Sequence, residues 1–230
     1  MRYYELNSSL TIQNSKSEKF MKDKIFIYGA SGHAKVVIDI IEKQGLYDIA
    51  FLVDDDLSLQ GTDFFGYPVA GGKDDLLTLA DAPQKAIVAI GSNSARCKVS
   101  AWLSDNSIEK VSAIHPSAQL SRGVQIGVGS VVMAGVCINA DTVVGEDVIV
   151  NTRASVDHDC VIGNGVHLAP GSTLCGTVTV GAQSFFSAGA TIIPNLIIGS
   201  DVIVGAGSTV IKDVPDGVTV VGSPAMPLSK

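Results

Sequence analysis

Counting in sixes from Ile114 reaches Leu120, Ile126, Val132, Ile138, Val144 and so on to Val210, and sixteen of these seventeen positions hold Val, Ile or Leu, with Phe186 the exception. The position two before each is also small or branched, as at Val124, Ser130, Val136, Thr142, Ala154, Cys160 and Val178. A strand sends alternate residues to opposite faces, so both positions point inward and the residue between them points outward. Ile126, Val144, Ile162, Val180 and Ile198 are each followed by glycine (Gly127, Gly145, Gly163, Gly181, Gly199), a spacing of 18. Three hexads therefore make one turn of a triangular solenoid of parallel strands, with the aliphatic stack filling the prism. Glycine is expected at one corner of each coil, where the chain bends sharply. Rungs about 4.8 Å apart over five to six coils give a prism roughly 27 Å long.

Stepping 18 residues at a time separates the outward columns. One runs Cys137, Ser155, Thr173, Thr191, Thr209; it is small and mostly hydroxylated and can face water. The other runs Val131, Ile149, His167, Phe185, Ile203. A large apolar column outside a prism that is already filled needs a cover, and the expected cover is another subunit in a threefold assembly.

Residues 24–112 lack the hexads and read as a small three-layer α/β unit. A strand at 24–28 runs into Gly29-Ala30-Ser31-Gly32-His33, a helix follows over 34–43, and a second strand ends in Asp54-Asp55-Asp56. A further strand over 86–90 closes on Gly91-Ser92-Asn93, before a helix near 96–103. The ligand crevice belongs at the carboxyl ends of these strands. The Gly29–His33 loop carries only part of a phosphate-binding fingerprint, although a strand-to-helix turn leaves helix N-terminal amides free for an anion. The domain reading is an arm-like extension over 1–21, an α/β domain over 22–112 and the solenoid over 113–230.

The charge balance is 16 Lys and Arg against 23 Asp and Glu, a net −7. That disfavours nucleic acid or an anionic membrane as partner, since both require a basic face. The four cysteines form no CxxC pair and no signal peptide opens the chain, so the expected compartment is the cytoplasm, with no metal. The stretch from Cys160 to Ser200 holds no Asp, Glu, Lys or Arg, but Gly, Ser, Thr and two prolines interrupt it. It reads as a buried or subunit-facing surface, without membrane insertion.

Of the four histidines, His158 and His167 fall outside the aliphatic stack, while His115 precedes Pro116 at the junction and reads as structural. His158 is the candidate base, because it sits in Asp157-His158-Asp159, where a neighbouring carboxylate orients the ring and raises its basicity. Neighbouring side chains on a strand point to opposite faces, so either aspartate is eligible.

The unbroken hexads, the leading GASGH unit and the segment VDHDCVIGNGVHLAPGSTLCG together resemble the sugar-nucleotide 4-amino-sugar N-acetyltransferases, of bacillosamine and perosamine type. These are kin of the sialic acid O-acetyltransferases, and both are left-handed parallel β-helix, hexapeptide-repeat acyltransferases behind a Rossmann-like N-terminal domain. The resemblance covers residues 22–225. It implies a homotrimer with acetyl-CoA as co-substrate, lying between adjacent prisms, and a nucleotide-linked amino sugar held by the N-terminal unit. It implies His158 as general base, Asp159 as its acidic neighbour and Gly176 as an amide facing the thioester oxygen. His167, Gly176, Ala188 and Ala206 would line acetyl-CoA. Gly29, Ser31, Gly32, His33, Asp54, Asp55, Gly91, Asn93 and Arg96 would hold the sugar nucleotide. The closing Gly222-Ser223-Pro224-Ala225-Met226 follows the family pattern except that Met226 stands where a basic residue is usual.

The activity implied is transfer of acetyl to the C4 amine of a nucleotide-linked 4-amino-4,6-dideoxy sugar, UDP-linked as in bacillosamine synthesis, for a bacterial surface glycan. Sialic acid O-acetylation is the alternative on the same fold. A zinc lyase on such a prism needs three histidines and the repeats hold two, His158 and His167. A non-catalytic scaffold needs neither histidine nor a nucleotide-like domain.

Overall fold

Six strands and three helices build the N-terminal unit: β1 (Asp23–Tyr28), α1 (Gly32–Gln44), β2 (Tyr47–Val53), the hairpin β3 (Asp63–Phe64) and β4 (Tyr67–Pro68), α2 (Lys73–Leu76), β5 (Lys85–Val88), α3 (Asn93–Asp105) and β6 (Glu109–Lys110). The computed structural model describes residues 22–228, so the arm expected over 1–21 lies outside the described residues. The main sheet is parallel in the order β2-β1-β5-β6. β1 occupies an inner position because Ile25, Phe26 and Ile27 form an unbroken apolar run, buried on both faces. α1 buries Ala34, Val37, Ile38, Ile40 and Ile41 against the sheet, and it stops at Gly45, whose φ of 69° lets its N–H close on the Ile41 carbonyl.

From Ala113 the chain winds as two-residue strands that stack in register, each pairing with the strand 18 residues on. The three faces are sheets of eight, six and five strands. The first carries the strands at Val131–Val132, Ile149–Val150, His167–Leu168, Phe185–Phe186 and Ile203–Val204. The second carries those at Cys137–Ile138, Ser155–Val156 and Thr173–Leu174, and the third those at Val143–Val144, Val161–Ile162 and Thr179–Val180. The hexad residues from Val132 onward fill the interior as one cluster. Burying each such Val, Ile or Leu contributes roughly 1.5–3 kcal/mol. The inward Ser and Thr are satisfied by stitching corners: Ser130 Oγ donates to the Gly145 carbonyl and accepts from the Val148 N–H, and Thr142 does the same for Asp157 and Cys160.

The bends belong to a different set of residues from the one expected. Positive φ recurs every six residues at Asp141, Asp147, Arg153, Asp159 and on through Asp201, with glycine filling the series at Gly123, Gly165 and Gly189 among others. Gly127, Gly145, Gly163, Gly181 and Gly199 are absent from that set. They are glycine because a Cβ there would run into the backbone of the next coil, as Gly163 would against Ala182 N at 2.8 Å.

The two units share a core. Val131, Met133 and Ile149 on the first face join one cluster with Ile25, Val37, Ile38 and Ile87 of the N-terminal unit. The apolar column read as subunit-facing is thus covered for Val131, Ile149 and His167 by the chain's own N-terminal unit; Phe185 is half-buried and Ile203 is exposed. Because the covering residues Ile25, Val37 and Ile38 lie more than 90 residues before Val131 in the chain, the local repeat carries no mark of them.

Candidate active site

His158 stands on the corner between the second and third faces. Asp159, directly after it, has φ 58°, and this left-handed turn brings its carboxylate alongside the ring, with Oδ2 2.7 Å from His158 Nδ1. Asp157 braces the backbone instead, where its Oδ1 accepts the His158 backbone N–H at 2.9 Å and the Asn139 Nδ2 at 2.7 Å, which pins the corner. Of the two aspartates, Asp159 therefore orients the ring. Its hydrogen bond, with the Asp157 charge behind it, raises the pKa of His158 above the usual histidine value. With Nδ1–H given to Asp159, the neutral ring carries its lone pair on Nε2.

Gly176 lies one coil further on at the same corner, directly beneath that ring. A Cβ on Gly176 would stand 2.7 Å from His158 Cε1 and 2.8 Å from Nε2, so only glycine leaves the ring in place. The Gly176 carbonyl accepts from the Asn195 N–H, whereas its own N–H makes no hydrogen bond among the described residues. An exposed base and, buried beneath it, a free amide donor thus share one corner, a pairing suited to acyl transfer, where one takes a proton and the other meets developing oxyanion charge.

The N-terminal loops form a second feature. Gly29 has φ +113°, and a Cβ there would meet the Ala89 carbonyl at 2.8 Å. Asp54 Oδ2 accepts the Ala30 N–H at 2.7 Å and Asp55 Oδ2 accepts the Tyr28 hydroxyl at 2.7 Å, so both acids brace the loops. Asp55 also lines a cavity of about 540 Å³ with Gln60, Lys73 and Asp74. Ser31 and Gly32 are exposed at the start of α1, which has no side-chain cap and no acid in its first turn, leaving its amides for an anion. His33 is largely buried, and burial lowers its pKa to about 4.

Arg96 is placed differently from the sequence expectation. It is 1 % exposed, and its donors go to the carbonyls of Asp147, Gly165, Ile90 and Gly91 and to Asn93 Oδ1. All five N–H groups of the guanidinium are consumed, leaving none for a nucleotide. Asn93 likewise spends both Nδ2 hydrogens on the Gln183 and Ser184 carbonyls. The two residues staple α3 to the corner between the third and first faces, where Asp147, Gly165 and Gln183 stack at 18-residue spacing. Gly91, its carbonyl held by Arg96, lines a cavity of about 370 Å³ with Gln183, Phe185 and Ile203.

In a triangular coil the corner between the second and third faces lies opposite the first face. His158 and Gly176 are therefore on the far side of the prism from the N-terminal loops, His167 and the 370 Å³ cavity. Ala188 and Ala206 are exposed and stacked on the corner between the first and second faces, away from Gly176. The residues expected to act together form two groups within one chain.

Residues 24–103 match the PglD N-terminal domain, and residues 141–176 match the bacterial transferase hexapeptide model of six repeats. The chain is 43 % identical to PerB from Caulobacter crescentus, solved with CoA and GDP-perosamine; the match covers 90 % of this chain and 97 % of that one, with a TM-score of 0.85. It is 38 % identical to the acetyltransferase domain of PglB from Neisseria gonorrhoeae and 32 % identical to WeeI from Acinetobacter baumannii, each covering 90 % of this chain and 100 % of the other at a TM-score of 0.82. The chain belongs to the left-handed β-helix sugar-nucleotide N-acetyltransferases.

The solenoid of this acetyltransferase is therefore left-handed, a hand the hexads alone leave open. Sequence reasoning also passed over two residues of the acetyltransferase, Asn139 beside Asp157 and Asn151 beside His167. Asn139 was findable, since stepping back 18 residues from Asp157 lands on it. Asn151 had no such signal, because its contact with His167 runs across the edge of the first face.

Proposed function

We propose that this acetyltransferase moves the acetyl group of acetyl-CoA to the C4 amine of a nucleotide-linked 4-amino-4,6-dideoxyhexose. The observation that carries the reading is the His158 corner, where Nε2 is left with a lone pair beside the unpaired Gly176 N–H. The amine nitrogen attacks the thioester carbon, Nε2 of His158 takes the proton the amine sheds, and the Gly176 N–H donates to the carbonyl oxygen as charge builds. The C–S bond then breaks as His158 passes that proton on to sulfur, so that CoA leaves as the thiol and the base is restored. Holding both substrates together supplies the entropic advantage, so no covalent enzyme intermediate is needed.

Since His158 lies opposite the chain's own N-terminal loops, the reading includes a homotrimer in which one subunit's His158 works on a sugar nucleotide held by its neighbour. Gly29, Ser31, Gly32 and His33 lie under the diphosphate, with Asp55 and Gly91 near the base and sugar. Ala188 and Ala206 leave room for the CoA arm. Among the described residues no helix is long and apolar enough to cross a membrane, and the reading places the enzyme in the cytoplasm with its co-substrate.

The nucleotide carried over from the sequence is UDP, as in bacillosamine synthesis. A GDP-linked sugar is the second reading, favoured by the 43 % identity to an enzyme solved with GDP-perosamine. The test is thiol release from acetyl-CoA with UDP-, dTDP- and GDP-linked 4-amino-4,6-dideoxy sugars and free sialic acid. Release with one amino sugar supports the reading and names the nucleotide; release with sialic acid alone moves the enzyme to O-acetylation.

A further inference from the structure

Arg122, Ala140, His158, Gly176 and Pro194 hold the same place on successive coils, second along the corner between the second and third faces. Proline has no N–H, and the N–H groups of Arg122, Ala140 and Gly176 make no hydrogen bond among the described residues. That of His158 alone is taken, by Asp157 Oδ1 at 2.9 Å. The bond is therefore not part of the repeat, and it occurs on the coil that carries the base.

Asp157 does not hold this position unaided. Asn139, one coil before, gives its Nδ2–H to the same Oδ1 at 2.7 Å, and its own Oδ1 accepts from the Cys137 thiol at 3.6 Å. The amide has one sense only, because turning it round would set an oxygen against the carboxylate. The two N–H donors on Oδ1 hold the Asp157 carboxyl below its ordinary value, so it is charged wherever His158 acts as a base. Oδ2 of Asp157 takes no hydrogen bond among the described residues, and the neighbouring imidazole is more than half exposed. Once released from Asn139, this carboxylate can compete with Asp159 for the ring.

We propose that Asn139 is a positioning residue for acetyl transfer: it locks Asp157 onto the His158 backbone N–H, which keeps a second carboxylate off the imidazole and leaves Asp159 to hold the ring over Gly176. Asn139 makes no hydrogen bond to the ring or to Gly176, so it acts through Asp157. Without it two carboxylates flank one imidazole, and the ring has two places to lie. Only the place set by Asp159 puts Nε2 against Gly176. This rests on the reading of His158 as the base.

Hydrogen exchange of the wild-type chain reads the lock with no substrate present. The His158 amide is expected to be protected at least about tenfold more than those of Ala140 and Arg122, its equivalents on neighbouring coils; equal protection overturns the proposal. Kinetics of Asn139→Leu, Asp157→Leu and the double variant supply the second arm. Asn139→Leu is expected to lower kcat at least about tenfold, as a displaced ring does. KM for either substrate stays within about twofold, the mark of a group felt in the transition state alone. In the Asp157→Leu background the same substitution costs no more than about twofold, because its partner is already gone. Asp157→Leu also moves the acid limb of kcat/KM to lower pH, since it removes a charge that raises the His158 pKa; Asn139→Leu, which keeps both carboxylates, does not. A full loss in the Asp157→Leu background overturns the proposal, and so does an acid limb at lower pH in Asn139→Leu. Unchanged kcat with a raised KM for the sugar nucleotide would make Asn139 a substrate contact and overturn it too. If His158→Ala keeps its turnover, the functional reading fails, while faster exchange of the His158 amide in Asn139→Leu still decides the lock. Should Asn139→Leu not fold, Asn139→Ala and the wild-type exchange decide.

Discussion

Asp159 reaches the ring of His158, its immediate neighbour, because it occupies the left-handed turn of its corner at φ 58°, which brings Oδ2 to 2.7 Å from Nδ1. Two adjacent residues on a strand would face opposite ways. On this corner they form an acid–imidazole pair, and the residue before them, Asp157, is occupied with Asn139 and the backbone.

Asp159→Asn removes the group that most raises the His158 pKa. The base works only when neutral, so kcat/KM falls at pH values below that pKa. Without the carboxylate the pKa drops, and the acid limb of the profile moves to lower pH. The plateau itself falls by at least about tenfold, because the ring loses its orienting partner. A pH–rate profile checks both; an unmoved acid limb would show that another group titrates.

Gly176→Ala places a methyl group within 2.8 Å of His158 Nε2. A displacement of that ring by about 1 Å is expected to lower turnover about a hundredfold. Circular dichroism and oligomeric mass remain those of the wild type, since the ring that the methyl group displaces is itself exposed and can swing outward. Near-normal turnover in this variant would contradict the placement of the base.

Arg96→Met leaves five acceptors unanswered at the junction of the two units. The expected cost is about 3 kcal/mol or more, a fall in Tm of roughly 10 °C for a chain of this size. Thermal unfolding checks this. Unchanged Tm with a raised KM for the sugar nucleotide would return Arg96 to the ligand-binding role that its place after the second glycine loop suggests.

The hexads made the prism, its three faces and its inward residues legible, because each coil repeats the same local requirement 18 residues later. The bends were misassigned for a physical reason: the left-handed corner position is filled as readily by Asp141, Asp159 or Asn195 as by glycine, whereas the regular glycines answer a close approach between coils. His158 and Gly176 could be proposed from spacing and resemblance. The roles of Asn93 and Arg96 could not, because their partners at Gln183 and Gly165 are brought to them by docking of one unit on another. The same docking covers Val131 and Ile149, so a column that looks open in the repeat is closed in the fold.

The opposite placement of His158 and the N-terminal loops predicts complementation between subunits. Gly32→Glu puts a carboxylate at the start of α1, where nothing lies within 4 Å to resist it, and repels a diphosphate. His158→Ala disables the other half of the site. Each variant alone is inactive, and trimers re-formed from a mixture of the two regain part of the wild-type turnover, measured by thiol release. A mixture as inactive as its parents would place both halves of the site in one chain.

The most direct measurement is turnover of His158→Ala with acetyl-CoA and the accepted amino sugar nucleotide, alongside the oligomeric mass of the same preparation. The account predicts that turnover falls by about 10²- to 10⁴-fold, the range for losing a general base, while the mass is unchanged. Turnover within about threefold of the wild type at neutral pH would contradict it, since no general base contributes so little.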